Sequence, residues 1–238
     1  MTATSATHGG QDPARAVAPT VVVFDVNETL SDMGPMVSRF QDVGAPATLA
    51  ATWFAALLRD GFALTAAGDM APFATIGAEM LRALLPTESL NRRLDEAVEH
   101  VITGFSELSV HPDVPDGIRA LTAQGLRLVT LSNGSASVAQ TLFARAGIGE
   151  HFERLLSVED AGVWKPAHGS YAYAAAQCGV DASEMLLVAV HPWDIDGAHR
   201  AGLRTGYINR TGAAYPSYFH QADLQATSLP ALAEQLNP

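Results

Sequence analysis

Residues 21–30 read VVVFDVNETL, and this stretch decides the fold. Four apolar residues come first, and the carboxylate Asp25 follows them directly. An uninterrupted apolar run of this length is typical of a strand that is buried on both faces of a parallel sheet. The stretch therefore predicts a strand that carries Asp25 at its carboxyl end, where open α/β sheets bind their ligands.

The same pattern recurs further along the chain. The runs LRLVTL and MLLVAV lead into polar residues at Ser132 and His191, and they predict further buried strands. Helical patterns lie between the runs, at residues 115–125 and 137–148. Strands that alternate with helices imply a mostly parallel sheet covered on both faces, so we predict a Rossmann-like α/β core.

One long interval breaks this alternation. Residues 31–106 contain no convincing strand but several amphipathic segments, among them LAATWFAALLRDGFAL and ESLNRRLDEAVEHVI. We interpret the interval as a helical cap inserted after the first strand. The predicted core is then 19–30 with 107–238, and the polar, Ala-, Gly- and Pro-rich residues 1–18 are a predicted disordered tail.

Composition excludes several classes of function. A chain of 238 residues with 48% hydrophobic content can bury a full core, and its formal net charge of −11 argues against nucleic-acid and acidic-membrane partners. Cys178 is the only cysteine, so the chain forms no internal disulfide and no thiol-based zinc site. Because its opening has no apolar core of signal-peptide type and no run is long enough to span a membrane, we expect a cytoplasmic protein.

Polar groups follow the ends of the predicted strands or lie in the loops after them. These groups are Asp25 with Thr29, Ser132 with Asn133 in TLSNGS, Lys165 in VWKP, and Asp194 in AVHPWDIDGA. A parallel sheet would gather them in one crevice, because the carboxyl ends of its strands meet at one edge. The sequence therefore predicts a site with two carboxylates, a cation, and hydroxyl and amide donors.

In this order the motifs resemble those of the haloacid dehalogenase superfamily, over residues 20 to about 225. Phosphatases of that superfamily carry a second Asp where Asn27 stands, and a further Asp where Ala189 or Val190 stands. An amide cannot transfer the proton that a carboxylic acid transfers, and magnesium is usually held by a pair of carboxylates. We therefore expect no metal cofactor.

The chain is more similar to the metal-independent branch, the type II 2-haloacid dehalogenases. The resemblance rests on WDIDGA, on SNG and on WKPAHGSY, in which Tyr171 follows Lys165 by six residues. It implies that Asp25 attacks the halogen-bearing carbon of a short 2-haloacid and that water hydrolyses the resulting aspartyl ester. Asp194, with Asp196 as an alternative, would orient or deprotonate that water, while Lys165 keeps Asp25 ionised.

The resemblance also implies a substrate-binding set. Its members are Ser132, Asn133, Asn27, His191, Phe54, Phe73, Tyr171 and Trp193, and Thr29 joins the catalytic residues as a hydrogen-bond donor. Phe54 stands where the family has a cap arginine, which Arg39 or Arg59 would have to replace. Core packing is the default role of Phe54 and Phe73 on their helical apolar pattern, and Tyr171 equally fits packing on its helix.

The sequence leaves the role of His191 and the reaction itself open. His191 fits either a general base or a hydrogen-bonding residue, because its position matches an amide in the better-known dehalogenases. A magnesium-dependent phosphatase of the same superfamily and a degenerate binding module without catalysis are the rival functions. The resemblance implies a homodimer.

Overall fold

A computed structural model describes residues 18–237. The predicted tail therefore lies outside the described residues, apart from the exposed Ala18. The described part forms one six-stranded sheet in the order β3-β2-β1-β4-β5-β6, with every neighbouring pair parallel. The strands are β1 (Val21–Phe24), β2 (Arg127–Ser132), β3 (Phe152–Ser157), β4 (Met185–Ala189), β5 (Arg204–Ile208) and β6 (Leu224–Ala226).

Helices surround this sheet. They are α1 (Met36–Asp42), α2 (Leu49–Ala66), α3 (Phe73–Leu84), α4 (Leu94–Ser106), α5 (Val114–Ala123), α6 (Ala136–Ala146), α7 (Val158–Ala161), α8 (His168–Cys178), α9 (Pro192–Arg200) and α10 (Leu229–Leu236). Helix α6 ends at Gly147, whose φ of 65° is the left-handed conformation that glycine adopts without steric cost. The predicted Rossmann-like α/β architecture is confirmed.

Strand β1 lies at the centre and is buried on both faces. Val21 and Val23 pack into one apolar cluster, whereas Val22 and Phe24 pack into another on the opposite face. All four residues are 0% exposed, so the side chains that alternate along the strand each remove an apolar surface from water. Each buried side chain of this size contributes about 1.5–3 kcal/mol, which explains the uninterrupted apolar run.

The sequence patterns did not reveal three of the strands. β3 lies at a sheet edge and exposes Glu153 and Arg154, so it has no continuous apolar run. β6 lies at the other edge with only three residues, and the five residues of β5 include an arginine and a glycine. Edge strands are covered less completely than central ones, and the apolar signal weakens accordingly.

Helices α1 to α4 occupy the predicted insertion. The chain leaves and re-enters the sheet region at one place, where Ser31 forms an antiparallel bridge with Val110. Trp164 joins the two parts, because its indole Nε1 donates to the Ala71 carbonyl at 3.1 Å and its ring packs on Gly61 of α2. The helical content of the interval is as predicted, and its division from the core as a separate cap stays a prediction.

Candidate active site

Asp25 follows β1 at the switch point of the sheet, between β2 on one side and β4 on the other. Its amide donates to the Val188 carbonyl at 3.0 Å, which continues the pairing with β4. The Thr29 hydroxyl donates to Asp25 Oδ2 at 2.6 Å, and Thr29 Oγ1 accepts from the Val190 amide at 3.1 Å. Because the Thr29 oxygen is already an acceptor, its proton is directed at the carboxylate.

Lys165 joins the two buried carboxylates. Its Nζ lies 2.9 Å from Asp25 Oδ1 and 2.7 Å from Asp194 Oδ2, and the Lys165 side chain is 0% exposed. Asn133 fixes the lysine main chain, since its Oδ1 accepts from the Lys165 amide at 3.0 Å and its Nδ2 donates to the Lys165 carbonyl at 3.4 Å. The Asn133 side chain, predicted to bind substrate, therefore makes its hydrogen bonds to the Lys165 main chain.

Asp194 lies in the first turn of α9 and receives a second donor. The Tyr171 hydroxyl of α8 donates to Asp194 Oδ1 at 2.6 Å. The two helices approach closely there, because a Cβ on Gly197 would lie 2.6 Å from the tyrosine oxygen. The alternative carboxylate, Asp196, instead accepts from Arg200 at 2.7 Å and from His220 at 2.6 Å.

Burial and charge set the protonation states of this buried group. Burial raises the pKa of Asp25, but Lys165, His191 and Thr29 together outweigh it and hold that pKa well below the ordinary value. Burial also raises the pKa of Asp194, and there it prevails over the opposing effect of Lys165. For Lys165, burial lowers the pKa, but the two carboxylates raise it above its ordinary value. Asp25 is thus the more acidic carboxylate of the pair and is ionised at neutral pH, whereas Asp194 is the more basic one.

His191 adds a second cation to the site. Its Nδ1 lies 3.1 Å from Asp25 Oδ2 and its Nε2 lies 2.8 Å from Glu28 Oε2. Burial lowers the pKa of His191, but the bonds to the two carboxylates raise it to about 9. The imidazole is therefore protonated at neutral pH and donates from both nitrogens, so a hydrogen-bonding role, and not a resting base, fits its state.

Glu28 is a site residue that the sequence reasoning missed. Its backbone has a φ of 62°, a left-handed conformation that is uncommon outside glycine. The His111 Nε2 donates to the Glu28 carbonyl at 2.9 Å and holds this turn. An acidic residue three positions after the nucleophile, within Asn-Glu-Thr, was the available signal.

Aromatic rings cover the polar group. Phe54 lies 6.4 Å from both His191 and Phe73, measured between ring centroids, and Trp193 stacks on His191 at 5.0 Å. Lys165 Nζ lies 5.9 Å from the centre of the Trp193 ring. The residue at the position of the family's cap arginine therefore packs on the imidazolium.

Neither Arg39 nor Arg59, the two candidates to replace the cap arginine, has a partner in this group. Arg39 donates to Glu107 at 2.6 Å, and Arg59, whose side chain is 68% exposed, donates to the adjacent Asp60 at 2.7 Å. Within the described residues, the positive charges next to Asp25 belong to Lys165 and His191. We infer that the core supplies the cation that the family places on the cap.

Two cavities flank the site. A cavity of about 80 Å³ lies between α3, α4 and the core and is lined by Asn27, Ser132 and Phe73 among others. Ser132 Oγ accepts from the Gly134 amide at 2.9 Å. A second cavity of about 290 Å³ lies on the side of Glu28 and His191.

The donor set does not fit a magnesium site. Among residues 18–237, no three His, Cys, Asp or Glu side chains are grouped so that they could hold a metal ion. The two positions that carry a further acidic ligand in phosphatases are apolar, Ala189 and Val190, and both carboxylates of the site are bound to Lys165. Hard cations need several oxygen ligands, which this arrangement does not offer.

A family model described as haloacid dehalogenase-like hydrolase matches residues 19–202. The chain belongs to this hydrolase family. It is 30% identical over 216 residues to an (S)-2-haloacid dehalogenase of Pseudomonas sp. (strain YL), covering 90% of this chain and 92% of that one. An (S)-2-haloacid dehalogenase 4A of Burkholderia cepacia is 30% identical over 88% of this chain and 91% of its own.

Solved structures agree with this hydrolase assignment. A dehalogenase crystallised with an intermediate complex superposes with a TM-score of 0.86 at 28% identity, covering 93% of this chain and 98% of its own. An L-2-haloacid dehalogenase superposes with a TM-score of 0.87 at 25% identity over 93% of this chain and 100% of its own. No helix between residues 18 and 237 is long and apolar enough to cross a membrane.

Proposed function

We propose that this hydrolase releases halide from short 2-haloacids through an ester on Asp25, without a metal cofactor. The observation that carries the proposal is the buried Asp25 carboxylate, ionised and held by Lys165 at 2.9 Å, at the switch point of the sheet. A carboxylate taken out of water is a better nucleophile, because no hydration shell has to be removed before attack. The similarity to haloacid dehalogenases over most of the chain supports the same chemistry.

The hydrogen bonds distinguish the two oxygens of Asp25. Oδ2 accepts from Thr29 and from His191, whereas Oδ1 accepts only from Lys165 among the described residues. Because a carboxylate oxygen has two lone pairs in its plane, Oδ1 keeps one for reaction. Oδ1 therefore attacks the carbon that bears the halogen, the new C–O bond forms as the carbon–halogen bond breaks, and the halide leaves.

Water then hydrolyses the ester. It adds to Cγ of Asp25, the Cγ–Oδ1 bond breaks, and the 2-hydroxy acid leaves with Oδ1. Asp194 is the carboxylate assigned to orient or deprotonate this water, and its raised pKa makes it a stronger base than an ordinary aspartate. Lys165 and Tyr171 keep Asp194 in place, since each donates to one of its oxygens.

The cavity between α3, α4 and the core supports a short substrate. At about 80 Å³ it is far smaller than the roughly 300–1,000 Å³ of pockets for drug-sized ligands, so it suits a small substrate. Asn27, two residues beyond the nucleophile, and Ser132 offer polar groups to the substrate carboxylate, while Phe73 supplies an apolar wall. We propose that these residues select haloacetates and 2-halopropionates.

Halide release from a panel of substrates tests this function. The panel contains chloro-, bromo- and fluoroacetate and both enantiomers of 2-chloropropionate, and each is assayed with and without a strong chelator. We expect halide release that survives the chelator. Failure of every substrate, or hydrolysis of phosphate esters that requires added magnesium, would refute the proposal in favour of the phosphatase.

A labelling experiment tests the intermediate. In water enriched with oxygen-18, a single turnover should place the label in Asp25, because the water oxygen stays on Cγ when the hydroxy acid leaves. An Asp25→Asn variant should release no halide, while a binding module would keep its ligand. Label found first in the product would mean direct attack by water.

We also propose a cytoplasmic homodimer, which the family resemblance supports. Light scattering coupled to size exclusion should give twice the mass of 25.0 kDa. Fractionation of the producing cells should place the activity in the cytosolic fraction. A monomeric mass or activity in another fraction contradicts the corresponding half of this proposal.

A further inference from the structure

We propose that His191 is a catalytic residue of the second half-reaction, where it forms an oxyanion hole with Thr29 around Oδ2 of Asp25, and that Glu28 is its positioning residue. The inference rests on the proposed ester mechanism and concerns the hydrolysis of the ester. Its basis is the difference between the two oxygens of the nucleophile, since one is left free to attack and the other is bound by two donors.

The ester inherits this difference. Once Oδ1 is bonded to the substrate carbon, Oδ2 is the ester carbonyl oxygen, with the Thr29 hydroxyl at 2.6 Å and His191 Nδ1 at 3.1 Å. When water adds to Cγ, the π electrons of the carbonyl move onto Oδ2, so that the negative charge develops between these two donors. Donors that are already in place where charge develops stabilise the transition state without reorganisation.

Glu28 keeps the imidazole in the form that this role requires. A carboxylate faces each ring nitrogen, and carboxylates only accept, so both nitrogens must carry a proton. Glu28 reaches Nε2 from a left-handed backbone at φ 62°. A non-glycine residue in this region is strained and persists where its surroundings hold it, as His111 does here through the Glu28 carbonyl.

The surroundings of His191 preserve its charge after the ester forms. The titratable groups around it are Asp25 and Glu28 in direct contact, Asp32, His111 and Arg210 across the cavity of about 290 Å³, and Lys165 and Asp194 beyond Asp25. Phe54 and Trp193 cover the ring. Esterification removes the charge of Asp25, but Glu28 continues to accept from Nε2 and keeps His191 cationic.

The step balances without a further reactant. Water contributes its oxygen to Cγ and loses one proton to Asp194, while His191 and Thr29 hold the oxyanion and exchange no proton. The electron pair then returns from Oδ2, the Cγ–Oδ1 bond breaks, and the leaving oxygen takes the proton that Asp194 received. The second proton of the water, on the new Cγ hydroxyl, is released to solvent. Asp25 is restored as a carboxylate, and its bond to the imidazolium forms again.

A His191→Leu variant, which has no donor for Oδ2, tests the assignment when it is mixed rapidly with excess 2-chloropropionate. We expect a burst of one chloride per active site, followed by steady-state turnover about 10²–10³-fold slower than in the unmodified enzyme, as when an oxyanion-hole donor is removed. The ester should accumulate and appear in the intact mass of the quenched protein. The burst amplitude counts folded sites, so a folding defect is separated from a catalytic one.

His151→Leu, at a half-buried position outside the site, and Glu150→Gln, at an exposed one, are matched controls, and both should turn over without an accumulated ester. Glu28→Gln tests whether Glu28 positions His191, with the pH dependence of ester hydrolysis as the readout. With a neutral amide at Nε2 the imidazolium loses its proton more readily. The decline of ester hydrolysis on the alkaline side should therefore begin at lower pH than in the unmodified enzyme. A purely structural role of Glu28 would leave that pH limb unchanged.

Two failures can be told apart. If the unmodified enzyme releases no halide and incorporates no oxygen-18 into Asp25, the ester mechanism itself is wrong. If it does both, but His191→Leu slows the chloride burst as much as the turnover and no ester accumulates, the proposed oxyanion hole is wrong. An unchanged turnover in His191→Leu would overturn it equally.

Discussion

Lys165 Nζ lies 2.9 Å from Oδ1 of Asp25, a residue 140 positions earlier in the chain, and both side chains are buried. Lys165→Met should therefore leave two carboxylates buried without their cation. Removing one partner of a buried ion pair costs about 3–5 kcal/mol of stability. We expect a loss of this size in urea unfolding, together with a rise in the pKa of Asp25, because its burial is then opposed less strongly.

The sign of the pH effect follows from the depressed pKa of Asp25. Its ionised form stabilises the fold above the unfolded pKa, near 4, and that contribution is lost as the pH falls through the folded value. In Lys165→Met the folded pKa is higher, so acid unfolding should begin at higher pH. Arg59→Met, at an exposed ion pair, is the matched control and should change neither measurement.

The central fold could be predicted because its strands are buried on both faces. Val21 to Phe24 are all 0% exposed, so the apolar run, its end at Asp25 and its parallel neighbours were visible in the residue pattern. Edge strands such as β3 were not, because Glu153 faces solvent there and the apolar period disappears. The helices of 31–106 were visible because each buries one face only.

Within the site, the sequence indicated residue types at strand ends but not their partners. That Asn133 binds the Lys165 main chain depends on how two separate loops meet, which no local pattern encodes. Glu28 was not identified from the sequence for a related reason. Its role depends on a positive φ and on the ring of His191, which lies 163 positions later. Contacts between residues so far apart in the chain are set by packing, and local motifs only limit which residues can be partners.

Tyr171→Phe should test the support of Asp194. The change removes the donor at 2.6 Å from Asp194 Oδ1 and leaves that buried oxygen without it. A buried acceptor left unsatisfied costs about 1–3 kcal/mol, which urea unfolding would reveal. The hydrogen bond also lowers the pKa of Asp194, so its loss should move the acid limb of turnover to higher pH. An unchanged acid limb would mean that Asp194 does not titrate in the rate-limiting step.

Gly61→Ala should disturb the contact between α2 and the core. A Cβ at this position would lie 2.4 Å from the ring of Trp164, which is fully buried and cannot move aside. Alanine gains up to about 1 kcal/mol in helix propensity, but overpacking costs about 1–3 kcal/mol, so we expect a net loss of stability. Gly169→Ala in α8 is the control, because within 4 Å its Cβ would meet only one Val163 methyl group, at 3.0 Å. Equal stability of the two variants would contradict the expectation.

Phe54→Arg restores the arginine that the family carries on its cap and should show that two cations compete here. The Phe54 ring lies 6.4 Å from that of His191, so a guanidinium at this position would face the imidazolium. A like charge at this distance disfavours the protonated form and lowers the pKa of His191 from about 9. The alkaline decline of turnover should then begin at lower pH, whereas Phe54→Leu should keep the alkaline limb of the unmodified enzyme. If the limb stays in place in Phe54→Arg, the charge of His191 does not govern it. If turnover instead rises at all pH values, the core cation and the cap arginine act additively, and the exchange of one for the other inferred from the packing is wrong.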